Sequence, residues 1–201
     1  WPSSPSGPSS SLSLASLAGR GDETAFPLVA NGEALGIIYL APESSPTAAY
    51  AATELRDHLE QATGVRLPIV DALPENPGTA VVLVGPSAAA EARGVPGTGL
   101  AREEHRLVSG ENWLVLLGDD DSPDSFHHTL GIASRVGPDY APFMDLTGRR
   151  RGTRVGTLLA VYRFLEDVAG IRWYMPGELG AVIPATDRLE VPRLDLSIKP
   201  T

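Results

Sequence analysis

The 201-residue sequence contains no cysteine, so disulfide bonds, thiolate metal sites and cysteine nucleophiles are excluded. Basic residues are also scarce, because 16 Lys and Arg stand against 25 Asp and Glu and give a formal net charge of -9. Such a chain lacks the basic surface that binds nucleic acids or anionic membranes. No apolar run approaches the roughly 18 residues of a membrane-spanning helix. The 42% of hydrophobic residues is nevertheless enough to form a core.

The ends of the chain differ in composition from its middle. Residues 1–23 are rich in Ser, Pro and Gly, and we expect them to form a flexible tail. Residues 11–18 (SLSLASLA) admit a second interpretation as the remnant of a secretory signal, although no basic segment precedes them. One domain is predicted over residues 24–197, with a long inserted loop at 119–152. Residues 198–201 are interpreted as the start of a linker to a missing downstream domain.

Apolar runs on either side of turn sequences predict two hairpins. The first joins residues 26–30 to 35–40 around Asn31-Gly32, and the second joins 104–109 to 113–118 around Gly110-Glu111. Between them, the continuous apolar run 80–84 is typical of a strand covered on both faces. Further short strands are predicted at 65–70, 171–174, 181–183 and 189–191.

Two helices are predicted by apolar residues at three- and four-residue spacing. The first begins at Ser45-Pro46 and ends at Gly64, and the second spans about 154–169 and ends at Gly170. Their apolar faces comprise Ala48, Ala52, Leu55, Leu59 and Ala62 in the first helix, and Val155, Leu158, Leu159, Tyr162, Leu165 and Val168 in the second. With a short Ala-rich helix after Ser87, these elements indicate an α/β (α+β) fold, a mixed β-sheet with helices packed on it.

The acidic and histidine residues are candidate metal ligands. Four aspartates that follow the predicted strand 113–118 are candidate ligands for a hard cation: Asp119, Asp120, Asp121 and Asp124. The central Gly and the distal Glu of a calcium loop are missing, so a solvated acidic turn is the favoured interpretation. His127 and His128 are adjacent and diverge on a helix or a strand. We therefore predict no metal and no cofactor.

Motifs for catalysis are equally sparse. The sequence has no G-x-S-x-G elbow, no H-E-x-x-H helix and no P-loop lysine after Gly85-Pro86-Ser87. Glu111, Glu166 and Glu178 are candidates for a glycosidase acid pair only because they are acidic. A Ser/His/Asp site stays open, but we predict no catalytic residue for this chain.

Two groups of residues are candidates for binding a substrate. Arg149, Arg150 and Arg151 can hold a carboxylate or sulfate on a sugar, or can instead pair with the aspartates of 119–124. Trp173 and Tyr174 are neighbours on a predicted strand and should face opposite sides. One is expected in the core, and the other can line a sugar platform or a domain interface. These five residues are the predicted substrate-binding set.

Residues 156–184 (GTLLAVYRFLEDVAGIRWYMPGELGAVIP) resemble the accessory N-terminal α/β domain of bacterial glycoside hydrolases. This domain is found in α-glucuronidases and as the second domain of chitobiases and β-hexosaminidases, and large secreted relatives carry a similar block. Residues 48–70, 80–95 and 100–121 match the same layout. The resemblance covers about residues 26–192. It departs from the family at 119–151, where the family passes quickly from hairpin to helix.

The resemblance implies a non-catalytic accessory domain, because the catalytic carboxylates of such enzymes lie on a following (β/α)8 barrel. The expected parent is a secreted or periplasmic bacterial glycoside hydrolase that degrades polysaccharides. The expected partner is the downstream barrel of the same polypeptide, with carbohydrate as a further partner and with neither nucleic acid nor membrane. An independent carbohydrate-binding module is the alternative, and a stand-alone hydrolase ranks last.

Overall fold

The computed structural model describes residues 25–76, 78–120, 154–175 and 180–199. The first half of this part contains β1 (Phe26–Ala30), β2 (Glu33–Ala34), β3 (Gly36–Tyr39), α1 (Pro46–Thr63), β4 (Ile69–Val70), β5 (Ala80–Val84) and α2 (Ala88–Glu91). The second half contains β6 (His105–Ser109), β7 (Trp113–Gly118), α3 (Gly156–Asp167), β8 (Arg172–Trp173), β9 (Ala181–Val182), β10 (Arg188–Val191) and β11 (Asp195–Ile198).

Six strands form the main sheet in the order β11-β6-β7-β5-β3-β4. The four strands β4, β3, β5 and β7 are parallel neighbours, whereas β6 and β11 continue the sheet in antiparallel fashion. A second, antiparallel sheet has the order β10-β1-β2, and β8 pairs with β9. The predicted α+β class with a mixed sheet is therefore confirmed.

Alternate residues of the central strands divide between two cores. Helices α1 and α3 cover one face of the main sheet, where Val82 and Leu116 are fully buried. Residues of α2 and of the chain that follows it cover the other face, where Leu83 and Leu117 are fully buried. All five residues of β5 are buried, as predicted from its continuous apolar run.

Helix α1 follows the prediction closely. The Ser45 hydroxyl accepts a hydrogen bond from the Ala48 amide at 3.0 Å, Pro46 occupies the first turn, and Gly64 ends the helix with a φ of 72°. The predicted apolar face of α3 is partly wrong. Its members Leu159, Tyr162 and Val168 are only half-buried against the core. Residues that were not predicted are fully buried, namely Ala160, Val161 and Phe164. The reason is that α3 packs against both α1 and β7, which requires a broader apolar arc.

The first predicted hairpin is wrong in its second arm. Asn31 and Gly32 form the expected turn with φ values of 54° and 76°, but they join β1 to the short β2. Strand β3 then leaves this sheet and enters the main one between β4 and β5. The second hairpin, β6–β7, is confirmed. The strand expected at 65–70 is shorter and forms only β4. Strand β11 was not predicted.

Candidate functional site

The candidate site lies where the parallel strands of the main sheet end. We call this region the carboxyl edge and define it by residues 40–45, 85–87 and 119–120, which follow β3, β5 and β7. The chain leaves β3 through α1 towards β4 on one side, and leaves β5 towards β6 and β7 on the other. Ligands of open α/β sheets bind outside the carboxyl ends of strands, where such connections diverge. The carboxyl edge is therefore the candidate site of this fold.

Close packing of backbone narrows this edge between β5 and α1. Gly85 has a φ of 85°, and a Cβ atom there would lie 2.7 Å from the Cβ of Ala48 in the first turn of α1. The next residues start α2, where the Ser87 hydroxyl accepts a hydrogen bond from the Ala90 amide at 3.2 Å. The Gly85-Pro86-Ser87 sequence thus serves helix packing and capping.

Asp120 joins three elements at the carboxyl edge. Its Oδ2 accepts a hydrogen bond from the Ser45 hydroxyl at 3.0 Å, and its Oδ1 accepts one from the Thr157 amide at 2.9 Å. Val155, which precedes α3, provides no side-chain cap, so Asp120 satisfies an amide of the first turn in its place. An antiparallel bridge between Asp120 and Val155 also places the residues that follow β7 beside the start of α3.

The solvated-turn interpretation is wrong for Asp119 and Asp120. Burial raises the pKa of Asp120 to about 6, although hydrogen bonds from Thr157 and Ser45 act in the opposite direction and the charge of Asp119 adds to the rise. Asp119 accepts hydrogen bonds from Arg154 Nη1 at 2.8 Å and from the Glu103 amide at 3.2 Å. Both carboxylates therefore belong to the packed junction. Asp121 and Asp124 lie outside the described residues.

The end of β7 and the start of α3 are in backbone contact. A Cβ atom on Gly118 would lie 2.2 Å from the carbonyl carbon of Gly156, and one on Gly156 would lie 2.4 Å from the amide nitrogen of Asp119. The Gly118 amide donates to the Thr157 hydroxyl at 3.1 Å, and the Gly156 amide donates to the Asp119 carbonyl at 3.0 Å. This contact fixes α3 against the sheet.

Glu104 forms a second polar junction beside the edge, which sequence analysis missed. Its side chain is only 2% exposed and accepts hydrogen bonds from the Ala101 amide at 2.8 Å and the Ser197 hydroxyl at 2.9 Å. Arg106 Nη2 lies 3.3 Å and Lys199 Nζ 3.6 Å from its carboxylate oxygens. The Ala101 amide contributes most to lowering the pKa of Glu104 to about 2, with further help from Ser197 and, less strongly, Arg106. The Glu103-Glu104 pair before an alternating strand gives no sequence signal for this network, because the partners Ser197 and Lys199 are distant in the chain.

The lowered pKa makes Glu104 a source of acid sensitivity. Because its folded-state pKa lies below the ordinary 4.5, ionised Glu104 stabilises the fold above pH 4.5, and this contribution is lost as the pH falls towards 2. We expect the stability of the unmodified chain to fall more steeply over that window than the stability of Glu104→Gln. Urea unfolding midpoints at several pH values measure this difference. Glu111→Gln, on the exposed β6–β7 turn, is the control, and equal slopes for Glu104→Gln and the unmodified chain would contradict the assignment.

Only two of the five predicted substrate-binding residues, Trp173 and Tyr174, belong to the described part of the chain. Arg149, Arg150 and Arg151 lie outside the described residues. Trp173 is half-buried, whereas the neighbouring Tyr174 is 75% exposed. The adjacent aromatic residues thus have different environments, and their role in binding stays a prediction.

Trp173 belongs to an aromatic cluster with His58 of α1 and Tyr162 of α3. Its ring centroid lies 5.5 Å from that of His58 and 5.2 Å from that of Tyr162, both in edge-on geometry. The Tyr162 hydroxyl donates to Glu54 Oε2 at 2.8 Å, and burial followed by the Glu54 charge raises the pKa of Tyr162. The cluster fastens the β8–β9 pair to both long helices. Sequence analysis missed the His58 and Glu54 contributions because these residues are distant from Trp173 in the chain.

The glycosidase candidates are not assembled into an acid pair in the described residues. Glu111 is exposed on a turn, Glu166 is half-buried on α3, and Glu178 lies outside the described ranges. No group of three or more His, Cys, Asp or Glu residues placed to hold a metal ion occurs in the part of the chain that the structure describes. Among the helices described, none is long and apolar enough to cross a membrane.

Comparison with known proteins finds a distant structural likeness. No protein-family model and no curated protein matches the sequence. The fold is similar to part of a solved 4-O-methyl-α-glucuronidase of glycoside hydrolase family 115, which has specificity for decorated arabinogalactans, at 17% sequence identity and a TM-score of 0.38. The match covers 64% of this chain and 17% of that chain. The likeness is therefore a distant one to a small part of a much larger enzyme.

Proposed function

We propose that this chain is a non-catalytic accessory domain of a secreted or periplasmic carbohydrate-active enzyme, and that it buttresses a following (β/α)8 glycoside hydrolase barrel. The sequence resemblance of residues 156–184, and of three further segments, to the domain that precedes such barrels supports this function. An α-glucuronidase-like parent fits the same resemblance. The carboxyl edge would then face the barrel.

The observation that carries the proposal is the direction of β11. Ile198 pairs with His105, and His105 pairs with Gly118, so β11 ends beside the end of β7. The last described residues therefore leave the domain at the carboxyl edge. A polypeptide continuing past Lys199 starts next to the junctions built by Glu104 and Asp120.

The strand that leads to this point is firmly held. The Ser109 hydroxyl donates to the Pro192 carbonyl at 2.9 Å and accepts from the Leu194 amide at 2.7 Å just before β11 begins. Glu104 then holds Ser197 and Lys199 at the end of the strand. Hydrogen bonds at both ends of β11 suit a domain that holds a following barrel in a fixed orientation.

Two measurements test the proposal. The purified chain should release no product above a blank from aryl glycosides, including an aryl α-glucuronide, because its described residues hold no assembled acid pair. The reading frame beyond the Thr201 codon should encode a barrel, and the longer protein should hydrolyse the substrate that the chain alone leaves intact. Hydrolysis of an aryl glycoside by the isolated chain, or a stop codon after Thr201, would contradict the proposal.

A carbohydrate-binding module is the second candidate, and the exposure of Tyr174 favours it. The Tyr174 ring is 75% exposed next to a Trp173 that is packed against two helices, which suits a rigid platform for the apolar face of a sugar. Glycan-array binding that is lost in Tyr174→Ala and Arg150→Ala, but kept in Val182→Ala, would support this function. Val182 is the matched control because it is also exposed on the β8–β9 pair. Absence of binding by the unmodified chain would exclude the module.

A further inference from the structure

Strand β11 is an edge of the main sheet, and within the described residues it pairs only with β6. The Ser109 amide donates to the Leu194 carbonyl at 2.9 Å, and hydrogen-bonded pairs alternate with non-bonded pairs along an antiparallel ladder. Leu196 and Ile198 therefore direct their backbone groups towards β6. The backbone N–H and C=O groups of three alternate residues point outwards, namely Asp195, Ser197 and Lys199. Such an edge is a template for another strand.

We propose that this edge pairs with β11 of a second copy of the chain, in antiparallel fashion and with Ser197 opposite Ser197 on the two-fold axis. Asp195 of each copy then lies opposite Lys199 of the other copy, close enough for an ion pair. Asp195 is exposed and has no ion pair with another described residue. The Lys199 side chain is 66% exposed, and its ammonium lies 3.6 Å from Glu104.

The outward charges select this register. Because alternate residues point outwards, the pairing can shift only in steps that keep those residues opposite one another. One step in either direction places Asp195 or Lys199 opposite Ser197. Two steps place Asp195 opposite Asp195, or Lys199 opposite Lys199, and like charges directly opposite each other are destabilising. Of these registers, the one centred on Ser197 alone pairs each of the two charges with its opposite.

The apolar face of β11 favours the same pairing. Leu196 and Ile198 are half-buried against the core on the face covered by α1 and α3. In the proposed register Leu196 lies opposite Ile198 of the second copy. Side chains of such non-hydrogen-bonded pairs approach most closely, so this contact covers apolar atoms that the single chain leaves exposed.

The length of the edge determines how strong the association can be. The paired segment spans five residues a side, from Asp195 to Lys199. Stable complexes use roughly 20–30 residues a side, so we expect a weak, reversible dimer with a Kd of roughly 0.1–1 mM. The opposite edge of the sheet, β4, has only two residues and is a shorter template.

Sedimentation equilibrium of the 201-residue chain from about 10 µM to 1 mM measures this association. The weight-average mass should rise from that of one chain towards that of two. Ser197→Pro should abolish the rise, because proline removes the outward N–H on the two-fold axis and is tolerated on edge strands. Ser197→Ala is the matched control, since it loses the same hydroxyl contact with Glu104 but keeps the N–H and should still associate. A constant mass in the unmodified chain, or equal association of both variants, would overturn the proposal.

Charge exchange tests the register without proline. Asp195→Lys and Lys199→Glu each place like charges opposite one another in their own dimers, so each alone should associate about tenfold more weakly than the unmodified chain. An equimolar mixture of the two variants brings opposite charges together at both positions. The mixture should therefore associate about as strongly as the unmodified chain. A mixture that associates no more strongly than either variant alone would contradict the pairing.

Hydrogen exchange of the unmodified chain identifies the strand that pairs. Protection of the Ser197 amide should increase as the protein concentration rises. The Leu196 and Ile198 amides are already directed towards β6, so their protection should change less. Protection of Ser197 that is high at every concentration would show that another segment of the same chain covers the edge, and would also overturn the dimer. None of these outcomes bears on the accessory-domain function.

Discussion

Gly156→Ala will lower the unfolding free energy by roughly 3 kcal/mol, although alanine is ordinarily the better residue in a helix by about 1 kcal/mol. The added Cβ atom would lie 2.4 Å from the Asp119 amide nitrogen and 2.8 Å from the Gly118 carbonyl carbon. These are backbone atoms, which cannot rotate away as a side chain can. Helix α3 must therefore move off β7, and the Thr157 contacts with Gly118 and Asp120 must lengthen.

Urea unfolding of Gly156→Ala beside Gly94→Ala separates this collision from a general effect of replacing glycine. Gly94 has a φ of 77° but open space around the position of a Cβ atom, so its replacement should cost only about 1–2 kcal/mol of backbone strain. If Gly156→Ala proves no more destabilising than Gly94→Ala, the close approach of β7 and α3 is not as described.

Ser109→Ala is expected to lower the unfolding free energy by about 2–3 kcal/mol. Ser109 is 1% exposed, and its hydroxyl both donates to the Pro192 carbonyl and accepts from the Leu194 amide. Alanine removes both bonds at once and leaves the Leu194 amide in a buried setting without that partner. The segment between β10 and β11 should then be cleaved more readily by a protease.

Ser197→Ala is the matched control, since Ser197 is exposed and makes one hydrogen bond, to Glu104. We expect this control to cost less than 1 kcal/mol. Thermal or urea unfolding measures both variants, and limited proteolysis reports on the segment itself. Equal stability losses in the two variants would show that Ser109 holds β11 no more strongly than the exposed Ser197 does.

Features specified by neighbouring residues were predictable from the sequence. The Ser45 cap, Pro46 and the Gly64 stop all act within one turn of α1, and the structure confirms them. The β6–β7 hairpin likewise depends on two apolar runs and the turn at Gly110-Glu111. The burial of β5 on both faces could be predicted from its continuous apolar composition alone.

Features specified by distant partners were not predictable. Nothing near Asp120 in sequence indicates that its partners are Ser45 and Thr157, and an acidic run is normally solvated. Glu104 shows the same limit, because its partner Ser197 belongs to a strand that was itself not recognised. The prediction of the first hairpin was wrong for a related reason, since β3 pairs with β4 and β5, which are formed by later parts of the chain.

The pairing of β1 with β10 has a consequence for the order of folding. Phe26, near the beginning of the described chain, lies opposite Val191, near its end. Contacts of such large sequence separation are costly to close and slow the folding of the whole domain. During synthesis β1 remains without this partner until nearly all of the domain has left the ribosome. The apolar residues Leu28 and Val29, fully buried in the finished fold, are then available for misassociation while the nascent chain waits.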